Sequence, residues 1–322
     1  MHILPTHNRL FMALILMAAL FTHSAAAQEA EAFRAGTTID CPNCDLSGLE
    51  MPGANLAGAN LAGANLSGAN LAGTDFTGAN LEGANLELTH LERAIFDEAN
   101  LSRAEMADAD LARASLVNVV LVDAILVRAN LHRAIMPGAN LEGADLSVTS
   151  FNVANLREAN LANTLLSYTD FFLADLTKAN LTNAYMWRGN TRRARMQSVD
   201  VSGAQFIDSD FREARMSGAI TSPETNFKDS RLDDTNLRGI DFTGANFTNT
   251  NLTGAMLRDT ILVNTVFHHA NLEGADLTDT VLTGTIFTDA NLFRAIFPLD
   301  GEGRELAIYG NTTMPDGLKR DE

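Results

Sequence analysis

The sequence predicts an all-β solenoid, a chain wound into coils that stack along one axis. Three observations carry that reading. A five-residue beat, plain in Ala54-Asn55-Leu56-Ala57-Gly58 and Ala59-Asn60-Leu61-Ala62-Gly63, recurs with variations over residues 45–297. The large apolar residue of each pentad, its centre, follows a small residue two positions earlier, as in Ala59 and Leu61 or Thr74 and Phe76, so both point to one side of an extended segment. A period of five fits neither an unbroken strand nor a helix, so the chain must turn once per pentad. A unit this short cannot close a core alone, and stability has to come from stacking many copies.

Residues 1–27 read as an export signal. His2, His7 and Arg9 precede an apolar run over 10–21, and Ala25-Ala26-Ala27 supplies the small residues of a cleavage site after Ala27. The run falls short of the roughly 20 residues a spanning helix needs. An uncleaved N-terminal anchor is the alternative; a lipoprotein anchor would need a Cys at the cleavage point. The mature chain is therefore expected in the periplasm or outside the cell, without a transmembrane segment. Cleavage removes one base, Arg9, and no acids, so the net charge of −17 becomes 22 − 40 = −18. Such acidity disfavours a nucleic-acid partner, which needs clustered Lys and Arg.

Residues 28–44 precede the beat and read as an N-terminal cap segment. They hold the two cysteines of the chain, Cys41 and Cys44. In an exported protein this pair reads as a disulfide, with buried thiols as the alternative. A redox role lacks a βαβ context, Asp45 stands where haem attachment needs His, and zinc would want two further ligands nearby.

Within 45–297 the centres fall at numbers ending in 1 or 6 up to Met216, and in 2 or 7 from Phe227 onward. The shift places a one-residue bulge within 217–226, near Ser222-Pro223, where Pro lacks the donor of a continuing ladder. Gly189 at a small position and Thr191 at a centre predict a thin, weak stretch of core. Residues 298–322 leave the beat and read as a C-terminal cap or tail, since open ends of a stacked sheet need cover.

These A(N/D)LxG-like pentads resemble the pentapeptide repeat family over about four-fifths of the chain. The resemblance implies a right-handed quadrilateral parallel β-helix with four pentads per coil. About fifty pentads then give roughly twelve coils and, at ~4.8 Å per coil, a rod about 60 Å long. Some members of that family are acidic rods that resemble duplex DNA and bind DNA gyrase; many have no assigned activity.

A coil of four pentads turns sequence into surface columns. Arg93, Arg113 and Arg133 stack in one, with Arg193 further along, and Arg188, Arg192, Arg193 and Arg195 form a dense basic cluster. Both suit an anion or acidic partner, unless acids such as Glu92 and Glu98 neutralise the face. Val117, Val120, Val122, Ile125 and Val127 are expected outward around one coil. Ile125, Leu165 and Tyr185 share a column, with Phe172 and Trp187 nearby. Such a patch marks a partner surface or a homodimer seam, or else consists of residues that merely suit strands.

Nothing in the sequence looks catalytic. His268 and His269 are adjacent but have no third ligand nearby in sequence, and no phosphate loop, nucleophile elbow or metalloprotease motif occurs. No enzyme activity, cofactor or metal is expected. The expected role is an exported scaffold that binds a protein or envelope component. An acidic DNA-mimic rod on a topoisomerase such as DNA gyrase is the alternative, at odds with export because gyrase is cytoplasmic; a secreted effector or surface-associated factor is another. N-terminal sequencing of the full-length protein after fractionation of a Gram-negative host should find Gln28 first, outside the cytoplasm, whereas an uncleaved cytoplasmic product contradicts export.

Overall fold

The computed structural model describes residues 25–297 and 306–321. The segment read as an export signal lies outside the described residues apart from its last three positions, which begin helix α1 (Ala25–Arg34). Beyond that helix the chain climbs as a parallel coil. Bridges join residues 20 apart, as in Asn60 to Asn80 to Asn100 and Asn140 to Asn160 to Asn180. Each pentad contributes one bridging residue, so four pentads complete a coil with four faces and four corners. Extended stretches long enough to count as strands occur at β1 (Tyr185–Trp187) and β2 (Gln205–Ile207), paired parallel with Met186 against Phe206.

Why the beat is five follows from the backbone amides of one pentad. Around Leu81, the Asn80 amide donates back to Ala59 O (2.9 Å), while the Leu81 and Gly83 amides donate forward to Asn100 O (2.7 Å) and Ser102 O (2.9 Å). The Ala84 amide closes the corner on Leu81 O (3.0 Å). The fifth amide, that of Glu82, donates to Asn80 Oδ1 (3.3 Å). All five donors are thus satisfied, which is what a chain with half its backbone inside requires. The Asn or Asp before each centre is more than a residue that tolerates turns: its oxygen closes the corner, and Asn80 Nδ2 also reaches Asn60 Oδ1 (3.2 Å) one coil back.

The centres and the small residues fill the interior. Leu61, Leu81, Leu101 and Leu121 are fully buried one above another. A neighbouring column, that of Leu126, Leu146, Leu166 and Met186, becomes aromatic in the second half: Phe206, Phe227, Phe247, Phe267, Phe287 and Tyr309 follow one another with ring centroids 5.2, 5.0, 5.1, 5.3 and 5.7 Å apart. Buried threonines at small positions are also satisfied; Thr250 Oγ1 donates to Phe227 O (2.9 Å) and Thr265 Oγ1 to Phe242 O (2.8 Å).

The ends and irregularities refine the sequence reading. Helix α1 buries Ala30 and Phe33 against the core, and Arg34 donates to Asp45 O (2.8 Å). Cys41 and Cys44 are disulfide-bonded and buried. The Cys41 amide already donates to Asn60 O (2.9 Å), so the first pentad lies inside the segment read as a cap. Across Ser222-Pro223 the bridging step becomes 21, Gln205 to Asn226 and Asp210 to Arg231, then returns to 20 at Asn226 to Asn246. The expected thin core at Gly189 is absent, because the Met186 side chain occupies the space a Cβ at 189 would need, while Thr191 Oγ1 donates to Asp210 O (3.1 Å). Residues 306–321 do not hang off the array as a tail. Ile308 bridges Ile286, Thr313 bridges Asn291, Tyr309 is fully buried, and the hairpin β3 (Thr312–Thr313) with β4 (Lys319–Arg320) sets Arg320 4.4 Å over the Tyr309 ring.

Two outcomes follow for stability. Phe247→Ala should cost about 3–5 kcal/mol, and Asn160→Ala about 1 kcal/mol for its lost capping bond, read from urea midpoints. The Thr77 hydroxyl, then the Thr77 amide, hold the Asp75 carboxyl below its ordinary value, and at Asp276 burial opposes the same effect but is outweighed by the Thr278 hydroxyl and amide. A folded-state value below the unfolded one gives stability that is complete above about pH 4 and lost as pH falls through the folded value. Melting temperature should therefore hold from pH 7 to 5 and drop below about pH 4.

Candidate partner-binding surface

The rule that builds a corner also identifies where the surface departs from it. The bridging position normally carries Asn or Asp, whose oxygen takes the amide two residues on. In the column Ile125, Asp145, Leu165, Tyr185 three of four members are apolar or aromatic and cannot take it. Ile125, Leu165 and Tyr185 are instead 43%, 47% and 43% exposed. The second corner position has left-handed backbone, where Gly or Asn is at ease. Val148 (φ 63), Val153 (φ 62), Tyr168 (φ 58) and Leu173 (φ 58) occupy it here, all exposed. A branched or bulky side chain in that region costs on the order of 1–2 kcal/mol.

These residues form one surface over neighbouring coils. Val148 and Tyr168 follow each other at one corner, where the Val148 amide donates to Ser167 O (2.8 Å). Tyr168 meets Trp187 edge to face at 5.0 Å, beside Tyr185 in β1. The Arg188 guanidinium covers Trp187 at 4.8 Å and is held by Asp208 (2.7 Å). Val153 and Leu173 occupy the next corner in the same order. Aromatic rings with one polar edge and a covering arginine are the side chains that dominate protein interfaces.

Part of the expected patch is less exposed than the rest. Val117, Val120, Val122, Val127 and Phe172 are half-buried, since each lies between its counterparts in the coils above and below. Val148, Val153, Tyr168 and Leu173 were not singled out from sequence. The signal that could have found them is a bulky residue where the beat otherwise has Gly, Asn, Asp or a charged side chain.

The arginines divide into two groups. Those of the dense cluster have ion-pair partners within the chain: Arg188 with Asp208 (2.7 Å), Arg192 and Arg193 sharing Glu213 (3.3 and 2.8 Å), and Arg195 with Asp175 (3.9 Å), which also meets Arg157. Arg93, Arg113 and Arg133 stack as expected from their spacing, all exposed, with no ion-pair partner among the described residues. The expected compensation is not made, because Glu92 lies beside His90 (3.9 Å) and Glu98 belongs to a different corner. Near the far end, His268 and His269 gain the third polar side chain that their sequence surroundings lack, the carboxylate of Asp289, one coil on, at 4.0 and 3.8 Å.

The family model described as pentapeptide repeats matches residues 40–78, 74–113, 114–152, 154–187, 192–220, 225–263 and 260–297. Among solved structures, HetL, a pentapeptide repeat protein involved in heterocyst differentiation regulation from the cyanobacterium Nostoc sp. strain PCC 7120, is 24% identical over 92% of this chain and 100% of its own, with a TM-score of 0.31. QnrB1, a plasmid-mediated fluoroquinolone resistance protein, is 14% identical over 59% of this chain and 90% of its own, with a TM-score of 0.34. A pentapeptide repeat protein of the Arabidopsis thaliana thylakoid lumen is 25% identical over 35% of this chain and 70% of its own, at 0.24. No curated protein matches the chain.

Trp187 is the single tryptophan and is 36% exposed. Its emission should be red-shifted and quenched by acrylamide, more so in Arg188→Ala, which uncovers the ring; a blue, quencher-resistant band contradicts the surface described.

Proposed function

Because the chain belongs to the pentapeptide repeat family, we propose that it works as a non-enzymatic scaffold, a right-handed quadrilateral rod of roughly twelve coils that presents the face carrying Leu165, Tyr168, Tyr185 and Trp187 to a protein or envelope partner. The observation that carries this reading is that the exposed apolar residues sit where the coil's own needs ask for Asn, Asp or Gly. Local stability is given up at several neighbouring positions of one surface, and a binding role accounts for their being together.

The export signal over residues 1–27 and the buried Cys41 to Cys44 disulfide support a periplasmic or secreted setting. The acidic-rod alternative, in which the chain occupies the DNA site of a topoisomerase, draws on the net charge of −17. The exposed aromatic surface and the three arginines without an ion-pair partner among the described residues weigh against it, since a duplex mimic needs an anionic face along its length.

The test uses substitutions that restore the repeat. Leu165→Asn with Tyr185→Asn should hold or raise the melting temperature by returning two capping bonds, while photo-crosslinking of partner from residue 168 in the envelope fraction falls at least tenfold. Unchanged crosslinking in the stable variant overturns the proposed face. Inhibition of gyrase supercoiling by the mature protein would instead favour the mimic.

A further inference from the structure

We propose that His268, His269 and Asp289 bind a divalent transition-metal ion of the borderline class, Zn²⁺ or its neighbours Ni²⁺ and Cu²⁺, at the corner where the last full coils meet the C-terminal segment. The coil geometry brings the three together. His268 and His269 are the two corner residues after the buried centre Phe267, and Asp289 holds the place of His269 one coil later. Both second-corner residues have left-handed backbone, φ 57 at His269 and φ 59 at Asp289. The His269 amide donates to Thr288 O (3.1 Å) and the Asp289 amide to Gly310 O (2.8 Å), which fixes the register of the corner.

The side chains already converge. Asp289 Oδ2 lies 4.0 Å from His268 Nδ1 and 3.8 Å from His269 Nδ1, the imidazole centroids are 3.9 Å apart, and one ligand atom from each residue falls within 4.8 Å of the others. An ion with bonds of about 2.0–2.1 Å sets tetrahedral ligand atoms roughly 3.4 Å apart, so rotamer adjustments that close each pair by up to about 1.4 Å complete the site. Outer contacts orient the ligands as they do in metal centres. Asn311 Nδ2 donates to Asp289 Oδ1 (2.6 Å), leaving Oδ2 toward the histidines, and His268 Nδ1 lies 3.1 Å from Thr288 O, a contact that it gives up when Nδ1 takes the ion. The nearby cation, Lys319, is engaged by Asn311 O (2.9 Å). Two imidazoles and one carboxylate select this metal class over Mg²⁺ or Ca²⁺, and remaining positions are left to water.

Through Asn311 and Lys319 the ion would also fasten the hairpin β3 and β4 to the coil beneath it. The test is calorimetric titration of the untagged full chain with zinc chloride. His269→Asn keeps a residue that tolerates left-handed backbone, and Asp289→Asn keeps the shape of the carboxylate; each should weaken one site at least tenfold. His132→Ala should leave it unchanged, and His268→Ala with His269→Asn should abolish it. Zinc should also slow amide exchange in residues 311–320 of the wild type and not of the double variant. Equal zinc binding by wild type and double variant, as would arise from His2, His7 and His23, overturns the proposal, and so does a Cu²⁺ spectrum of the wild type without nitrogen coupling from two imidazoles.

Discussion

Everything in this molecule depends on hydrogen bonds passed from one coil to the next at a fixed offset of four pentads. Four of the five amides in a pentad are satisfied by backbone carbonyls, three of them on neighbouring coils, and the fifth by the side chain of Asn or Asp. No pentad has an internal hydrogen-bond pattern that would hold it alone, in contrast to helix α1. The apolar interior follows from the same constraint. Once equivalent positions of successive coils must lie in register, centres stack on centres and small residues on small ones, and a column of phenylalanines becomes a run of rings at about one coil's spacing.

That constraint explains which parts of the structure were legible in the sequence. The beat, the buried centres from Leu46 to Phe287 and the bulge at Ser222-Pro223 are consequences of periodicity, and periodicity is visible in letters. The columns were legible too, since Arg93, Arg113 and Arg133 recur at the coil period. What each column does was harder to read. Whether an arginine finds an acid depends on rotamers and on which corner the acid occupies, so Arg193 closes on Glu213 while Arg93 has no such neighbour among the described residues. The pairing of Asp289 with two histidines was hidden because a full coil of sequence separates groups that are neighbours in space. Met186 filling the space above Gly189 is a matter of side-chain shape, which a repeat pattern does not record. How the C-terminal segment joins the coil was not legible because its bridges skip two positions beyond the usual coil, although Ile308 continues the column of Val266 and Ile286.

The chain also separates two kinds of surface residue that composition alone would merge. Most outward positions serve the fold: Asn ladders such as Asn140, Asn160 and Asn180 close corners and bond to one another. A minority work against it, with valine, leucine or tyrosine in left-handed backbone or in place of a capping side chain. In an ordinary globular domain an exposed leucine means little. In a repeat whose every position has a known local duty, the same residue is a measurable departure, and Val148, Leu165, Tyr168 and Tyr185 are such departures on neighbouring coils.

The four-faced coil gives chain length a directional meaning. Removing or adding one whole coil would slide everything beyond the change along the axis without turning it, because each column resumes where it left off. Removing or adding one pentad would instead rotate the distal part by a quarter turn relative to the proximal part, with each part's own ladders intact. The bearing of the histidine corner relative to the Tyr185 face is therefore set by the count of pentads between them, and the extra residue at Ser222-Pro223 is taken up inside one corner, leaving that count undisturbed. Such a chain can re-aim one surface against another by whole repeats, a change in orientation that requires no new contact anywhere in the core.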